Sequence, residues 1–164
     1  MVDKVASFFR DCPLKVIEKA LDADSLNQLL RRLPYRHPAL LVDRITYIEP
    51  RRFLAATKNI TRNESGFAGN IANHYYPSTL ILESMIQATT ILALHEYSNT
   101  EYAENQNILS GLQEVEFHKP VVAGDQLLLS IEAKTQKPYI WLFEASASTE
   151  EYVVANAKIA LHAA

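Results

Sequence analysis

One cysteine, Cys12, occurs in the 164-residue chain. No disulfide framework and no cysteine-built metal cluster can form from it, and a lone thiol fits a reducing, cytoplasmic setting. Glycine is scarce as well. The four present form no phosphate-cradling run and no G-x-S-x-G nucleophile elbow. His37, His74, His95, His118 and His162 follow no metal-ligand spacing, so no zinc motif exists. The first residues, MVDKVASFFRDCPLK, are broken by charges and lack the apolar centre and cleavage site of a signal peptide. Repeats, low-complexity tracts and inter-domain linkers are absent, and the length suits one domain with a sizeable core. A formal net charge of −3 speaks against a dominant nucleic-acid role. That charge is unevenly spread. Between residues 31 and 62, seven arginines and Lys58 stand against Asp43 and Glu49, a net +6. Such a stretch is either a face for an anionic partner or a solvated arginine-rich surface.

What the chain does have is one dominant stretch, from Gly66 to Tyr97. In its second half Leu80, Ile81, Leu82, Met85, Ile86, Ala88, Ile91, Leu92, Ala93 and Leu94 make a helix apolar on nearly every side. Such a helix is buried on nearly every side. Glu83, Ser84 and Gln87 interrupt it too often for a membrane span. Glu83 is the anomaly, because a carboxylate in a buried helix must be paired, protonated or put to use. Gln87, one turn on, is placed to hydrogen-bond it. The loop before the helix carries Asn70, Asn73, His74, Tyr75 and Tyr76, polar groups gathered at the helix head.

Upstream, Leu14, Ile17, Ala20 and Leu21 have helical spacing, as do Leu26, Leu29, Leu30 and Leu33. Asp24 or Ser25 is the expected cap of the second piece and Pro34 its stop. Both pieces are expected to pack outside the main fold. Pro38 enters the short apolar run of residues 39 to 42, and residues 53 to 61 read as a strand. After the polar run of residues 98 to 107 the pattern turns to antiparallel sheet. Leu127, Leu129, Ile131 and Ala133 share one face. So do Tyr139, Trp141, Phe143, Ala145 and Ala147, and then Val153, Ala155, Ala157, Ile159 and Leu161. One long buried helix with strands before and after it implies an α+β fold, a sheet wrapped around a helix.

Five blocks in order, LPYRHPALLVDRITYIEP, KNITRNESGFAG, PSTLILESMIQA, VEFHKPVVAGDQL and IWLFEASA, resemble the β-hydroxyacyl-acyl carrier protein dehydratases. The similarity covers roughly residues 33 to 162. It implies a hot-dog fold for residues 33 to 164, with residues 1 to 32 as a helical extension packed on it. It also implies a dimer whose tunnels use both protomers, or an assembly of dimers. The implied substrate is an acyl chain on the phosphopantetheine of acyl carrier protein, an acidic partner for the arginine-rich stretch. No other cofactor is implied.

Dehydration of a 3-hydroxyacyl thioester needs a base for the C2 proton and an acid for the departing C3 hydroxyl. In the resembled family a loop histidine is the base and a carboxylate on the central helix serves the hydroxyl. Backbone N–H groups at the helix start polarise the thioester carbonyl. The carboxylate falls on Glu83 and the following glutamine on Gln87, while Ser78 and Thr79 stand at the helix start. The family's G-H-F-P segment falls on Gly69-Asn70-Ile71-Ala72, so Asn70 replaces the histidine. The loop is also one residue shorter, and Pro-Gly has become Pro77-Ser78. An asparagine amide holds a hydroxyl or a carbonyl but accepts no proton at neutral pH. His74 is then either a replacement base or a surface bystander, and Tyr75 and Tyr76 either line the tunnel mouth or fill a dimer contact. The leading expectation is dehydratase chemistry with an altered site, in fatty-acid or specialised lipid or polyketide synthesis. Two alternatives stay open: a thioesterase using Glu83, and a silent acyl-binding subunit paired with an active homologue.

Overall fold

The computed structural model describes residues 23–67, 74–96, 107–137 and 140–163. The segment carrying Leu14, Ile17, Ala20 and Leu21 lies outside these residues, as do Asn70, Asn73 and Tyr139. The elements run α1 (Ala23–Arg32), β1 (Arg44–Glu49), β2 (Phe53–Asn59), a 3-10 turn (Ser65–Phe67) and α2 (Ser78–Glu96). Then come β3 (Asn107–Phe117), β4 (Gln126–Lys137), β5 (Ile140–Ser148) and β6 (Val153–Ala163). The described part of α1 already includes Ala23, so Asp24 and Ser25, read as its cap, lie within the helix.

The six strands form one antiparallel sheet in the order β1-β2-β4-β5-β6-β3. Its concave face receives Leu129, Ile131, Phe143, Ala145, Ala157, Ile159 and Leu161, which pack around α2. Period-2 alternation delivers these residues to one side. It breaks at the start of β6, where Val154 and Ala155 are both buried and the register shifts between Ala147 and Ser148. The strand of residues 53 to 61 closes at Asn59. Ile60 turns away to donate its N–H to Asp125 O and accept from Gly124 N. Gly124, at φ 109°, holds that turn in a region where a side chain would be strained.

The apolar helix behaves as its composition requires. Ile81, Met85, Ala88, Ile91 and Leu92 are all fully buried along the 19-residue α2. Burying one such side chain contributes about 1.5–3 kcal/mol. The polar residues inside satisfy themselves locally: Ser84, Thr89 and Thr90 hydroxyls donate to the carbonyls of Leu80, Met85 and Ile86. The side of α2 away from the sheet is covered by α1 and the segment after it, through Leu29, Leu33 and Val42. Arg32 Nη1 donates to Leu94 O at 3.0 Å, meeting a carbonyl near the helix C-terminus.

β3 is the sheet's long edge. Leu109 and Leu112 lie in register with buried Leu161 and Ile159 but are themselves exposed. They continue the apolar concave face beyond the cover that α2 provides. Ile108 and Phe117 add further exposed apolar surface to the same strand.

Part of the arginine-rich stretch is tied into the fold. Lys58 is 2% exposed and ion-paired inside the fold. Arg36 spends its guanidinium on the carbonyls of Leu33, Tyr35 and Arg31, and Arg52 pairs with Glu49. Arg31, Arg44 and Arg62 are exposed. Charge counting along the chain misses this because half of these cations hold the chain's own turns together. Among the described residues no helix is long and apolar enough to cross a membrane.

Candidate active site

Pro77 begins α2. Its carbonyl accepts from Leu80 N at 3.0 Å and Ile81 N at 3.3 Å, the first bonds of the helix. The amides of Ser78 and Thr79 precede those bonds, and both residues are exposed. Two N–H groups at a helix start, with the positive end of the helix dipole behind them, suit a developing oxyanion. Proline and serine fit here because the first helical turn has no internal use for its N–H groups.

Glu83 stands on the second turn, half-buried. Its Oε1 accepts from Gln87 Nε2 at 2.8 Å, the pairing expected from the four-residue spacing. Gln87 itself is fully buried, and its amide reaches further. Nε2 also donates to Ala39 O at 2.8 Å, and Oε1 accepts from Leu41 N at 2.9 Å. Gln87 therefore holds the carboxylate and the segment of residues 39 to 41 in place. Its side chain is turned entirely to these partners inside the fold.

Tyr35 joins this group, and sequence reasoning assigned it no role. Burial and then the Glu83 carboxylate raise its pKa. Its position in the LPYRHP block was the only available signal. The turn carrying it is tight: Ala39 and Leu40 both donate to Arg36 O, and the His37–Pro38 peptide is cis.

The loop tyrosines part company. Tyr75 is 54% exposed and bridges Val122, while Tyr76 is 2% exposed with its N–H on Val121 O at 2.7 Å. Tyr76 packs its ring against Phe67, centroids 5.7 Å apart, and is a core residue instead of a tunnel-mouth residue. Alternation in a short extended segment sends neighbours to opposite sides. His74 is exposed, immediately before this bridge. Among the described residues no hydrogen bond or ion pair joins His74 to Glu83, and no cluster of three or more His, Cys, Asp or Glu side chains could hold a metal. Asn70 lies outside the described residues.

Residues 33–158 match the model of the FabA-like domain. The chain belongs to the FabA-like family. It is 38% identical over 133 residues to the 3-hydroxyacyl-[acyl-carrier-protein] dehydratase FabZ of Dechloromonas aromatica, covering 80% of this chain and 92% of that one. Identity to the FabZ of Myxococcus xanthus is 39% over 132 residues, covering 80% and 86% of the two chains. Among solved structures, the dehydratase heterocomplex ApeI:P of Xenorhabdus doucetiae superposes with a TM-score of 0.69 at 17% identity, covering 83% of this chain and 90% of that chain. The FabA-like chain thus has the hot-dog fold, a helix wrapped by a curved antiparallel sheet.

Proposed function

We propose that this FabA-like chain dehydrates 3-hydroxyacyl thioesters carried by acyl carrier protein, using an altered active site. The observation that carries the proposal is Glu83. It is a carboxylate held at a defined place on the central helix by a buried glutamine, one turn past the exposed amides of the helix head. The FabZ relatives, dehydratases by name, support this reading across four-fifths of the chain.

In this scheme Ser78 and Thr79 N–H groups hold the thioester carbonyl and make the C2 proton more acidic. His74 accepts that proton, the C2–H electrons form the C2=C3 bond, and the C3–O bond breaks. Glu83, acting as the general acid, delivers a proton to the departing hydroxide, and water leaves. Tyr35 and Gln87 set the environment of the acid. Asn70 replaces a base by an amide and is read here as a hydrogen-bonding group for the hydroxyl or carbonyl. The substrate brings its own phosphopantetheine, so the reaction calls for no further cofactor. Exposed Arg31, Arg44 and Arg62 are the cations left for the acidic carrier protein, in a cytoplasmic setting.

The exposed apolar residues of β3 support pairing of that edge with a second copy, placing one protomer's loop beside the other's helix. His74 then reaches a partner's Glu83 without contacting its own. The test is turnover of a 3-hydroxyacyl-carrier protein followed by the appearance of 2-enoyl product. Wild-type protein should form enoyl thioester, and His74→Ala should lower the rate by ~10²–10⁴-fold. Free acid and thiol as the products would mean a thioesterase. No product alone, with activity on mixing with an active homologue, would mean a silent heterodimer subunit.

A further inference from the structure

Lys58 is among the largest fully buried side chains of the described residues, and the scheme above gives it nothing to do. Its Nζ lies 2.5 Å from Glu64 Oε1 and 3.8 Å from Asp43 Oδ2. Asp43 also accepts from Asn59 N at 2.5 Å, which fixes the end of β2 beside the lysine. The Tyr76 hydroxyl is buried in the same place and makes no hydrogen bond of ordinary geometry. Burial, then the Glu64 and Asp43 charges, drive its pKa upward. A buried ion pair is no net source of stability, because desolvation offsets the attraction. Two costly polar groups, absent from the chemistry, meet at one point of the fold.

That point is the head of α2. Glu64 donates its N–H to Thr61 O and accepts from Phe67 N at 3.0 Å, so it controls the turn that ends in Gly66 and Phe67. Phe67 packs on Tyr76, which is followed directly by Pro77, Ser78 and Thr79. Gly66 sits so close that a Cβ there would lie 2.9 Å from both Pro77 and Leu80. Displacing Glu64 therefore moves Gly66 and Phe67, and with them Tyr76, Pro77 and the first turn of the helix.

We propose that Lys58 is a positioning residue: through Glu64 it sets where the Ser78 and Thr79 amides sit at the head of α2. The proposal rests on the dehydratase reading only in taking those amides as the carbonyl site. Misplacing a reacting group by ~1 Å costs up to ~10²-fold in rate, so a fixed clamp has a use that stability alone does not supply.

The experiment uses the full chain in its natural assembly and compares wild type, Lys58→Met, Glu64→Gln and the Lys58→Met/Glu64→Gln double variant. Three quantities are read: thermal midpoint, kcat and KM on a 3-hydroxyacyl-carrier protein, and amide exchange at residues 78 to 81 against β4. Lys58→Met should lower the midpoint by stranding the Glu64 charge. The double variant should recover most of that midpoint, since no charge is left unpaired. Its kcat should stay about ten-fold or more below wild type with KM changed about two-fold at most, and residues 78 to 81 should exchange faster while β4 does not. Recovery of kcat and local protection together with the midpoint would overturn the proposal. If both Lys58 variants fail to fold, Glu64→Gln decides. It keeps the side-chain size but removes the charge that holds Lys58, so the clamp should loosen, and an unchanged kcat and unchanged exchange at 78 to 81 would also overturn the proposal. A wild-type chain without dehydratase turnover would refute the functional reading while the exchange comparison still judges the clamp.

Discussion

The two ends of α2 are built by different means. At the tail, Leu92 and Leu94 belong to the same apolar core as Leu29 and Leu33 of the preceding segment, and one guanidinium reaches a carbonyl of the last turn. At the head, an ion pair, a buried phenol and a close-packed glycine surround two exposed residues, and a glutamine holds a carboxylate one turn on. Apolar contact is adaptable and non-directional, so it secures the helix without fixing any one atom. Hydrogen bonds and paired charges are directional and costly when broken, so they fix atoms. The tail holds the fold together and the head holds a geometry.

The largest expected effect separates those two tasks at the head. Glu83→Gln should leave the fold and thermal midpoint near wild type while turnover drops by ~10²–10⁴-fold, because the amide is nearly isosteric but neither gives nor takes the proton. Unchanged turnover on a 3-hydroxyacyl-carrier protein would place the site elsewhere. Leu92→Ala tests the tail. A fully buried leucine should cost about 2–5 kcal/mol by chemical denaturation, with kcat per folded molecule preserved.

The tail and the sheet were legible in the amino-acid order because they depend on periodicity. The apolar run of residues 80 to 94 predicted the helix, and the alternation in β4, β5 and β6 predicted their inward faces. Glu83 and Gln87 were legible for the same reason, four residues apart on one helix. The rest of the head was not. Lys58 reads as one more cation until Glu64 and Asp43 fold around it, and Tyr35 feels the Glu83 charge across a separation of 48 residues in the chain. Contacts of that kind depend on where turns place the chain, which no local spacing encodes. β3 was read only as part of a general run of sheet, since its exposed apolar residues and two register shifts blur the alternation.

Gln87→Met sharpens the contrast on a smaller scale. A side chain of similar length should cost about 1–3 kcal/mol by stranding Leu41 N and Ala39 O, and should lower kcat as well by releasing Glu83. A stability loss with kcat intact would show that the glutamine serves the fold alone. The smallest effect belongs to the tail cap. Arg32→Met should cost about 1 kcal/mol, the usual net value of one hydrogen bond, with no change in turnover.

Gln87 has both amide hydrogens engaged, one on the Glu83 carboxylate and one on the backbone of Ala39. With Glu83 as the acid of the proposed scheme, tuning that acid and holding the chain are not independent variables. A lineage that changed residue 87 to retune its acid would at the same stroke loosen the segment that covers the helix. The accessible route to new specificity runs through positions that touch only one of the two, such as Tyr35 beside the acid or the exposed Tyr75 near the helix head.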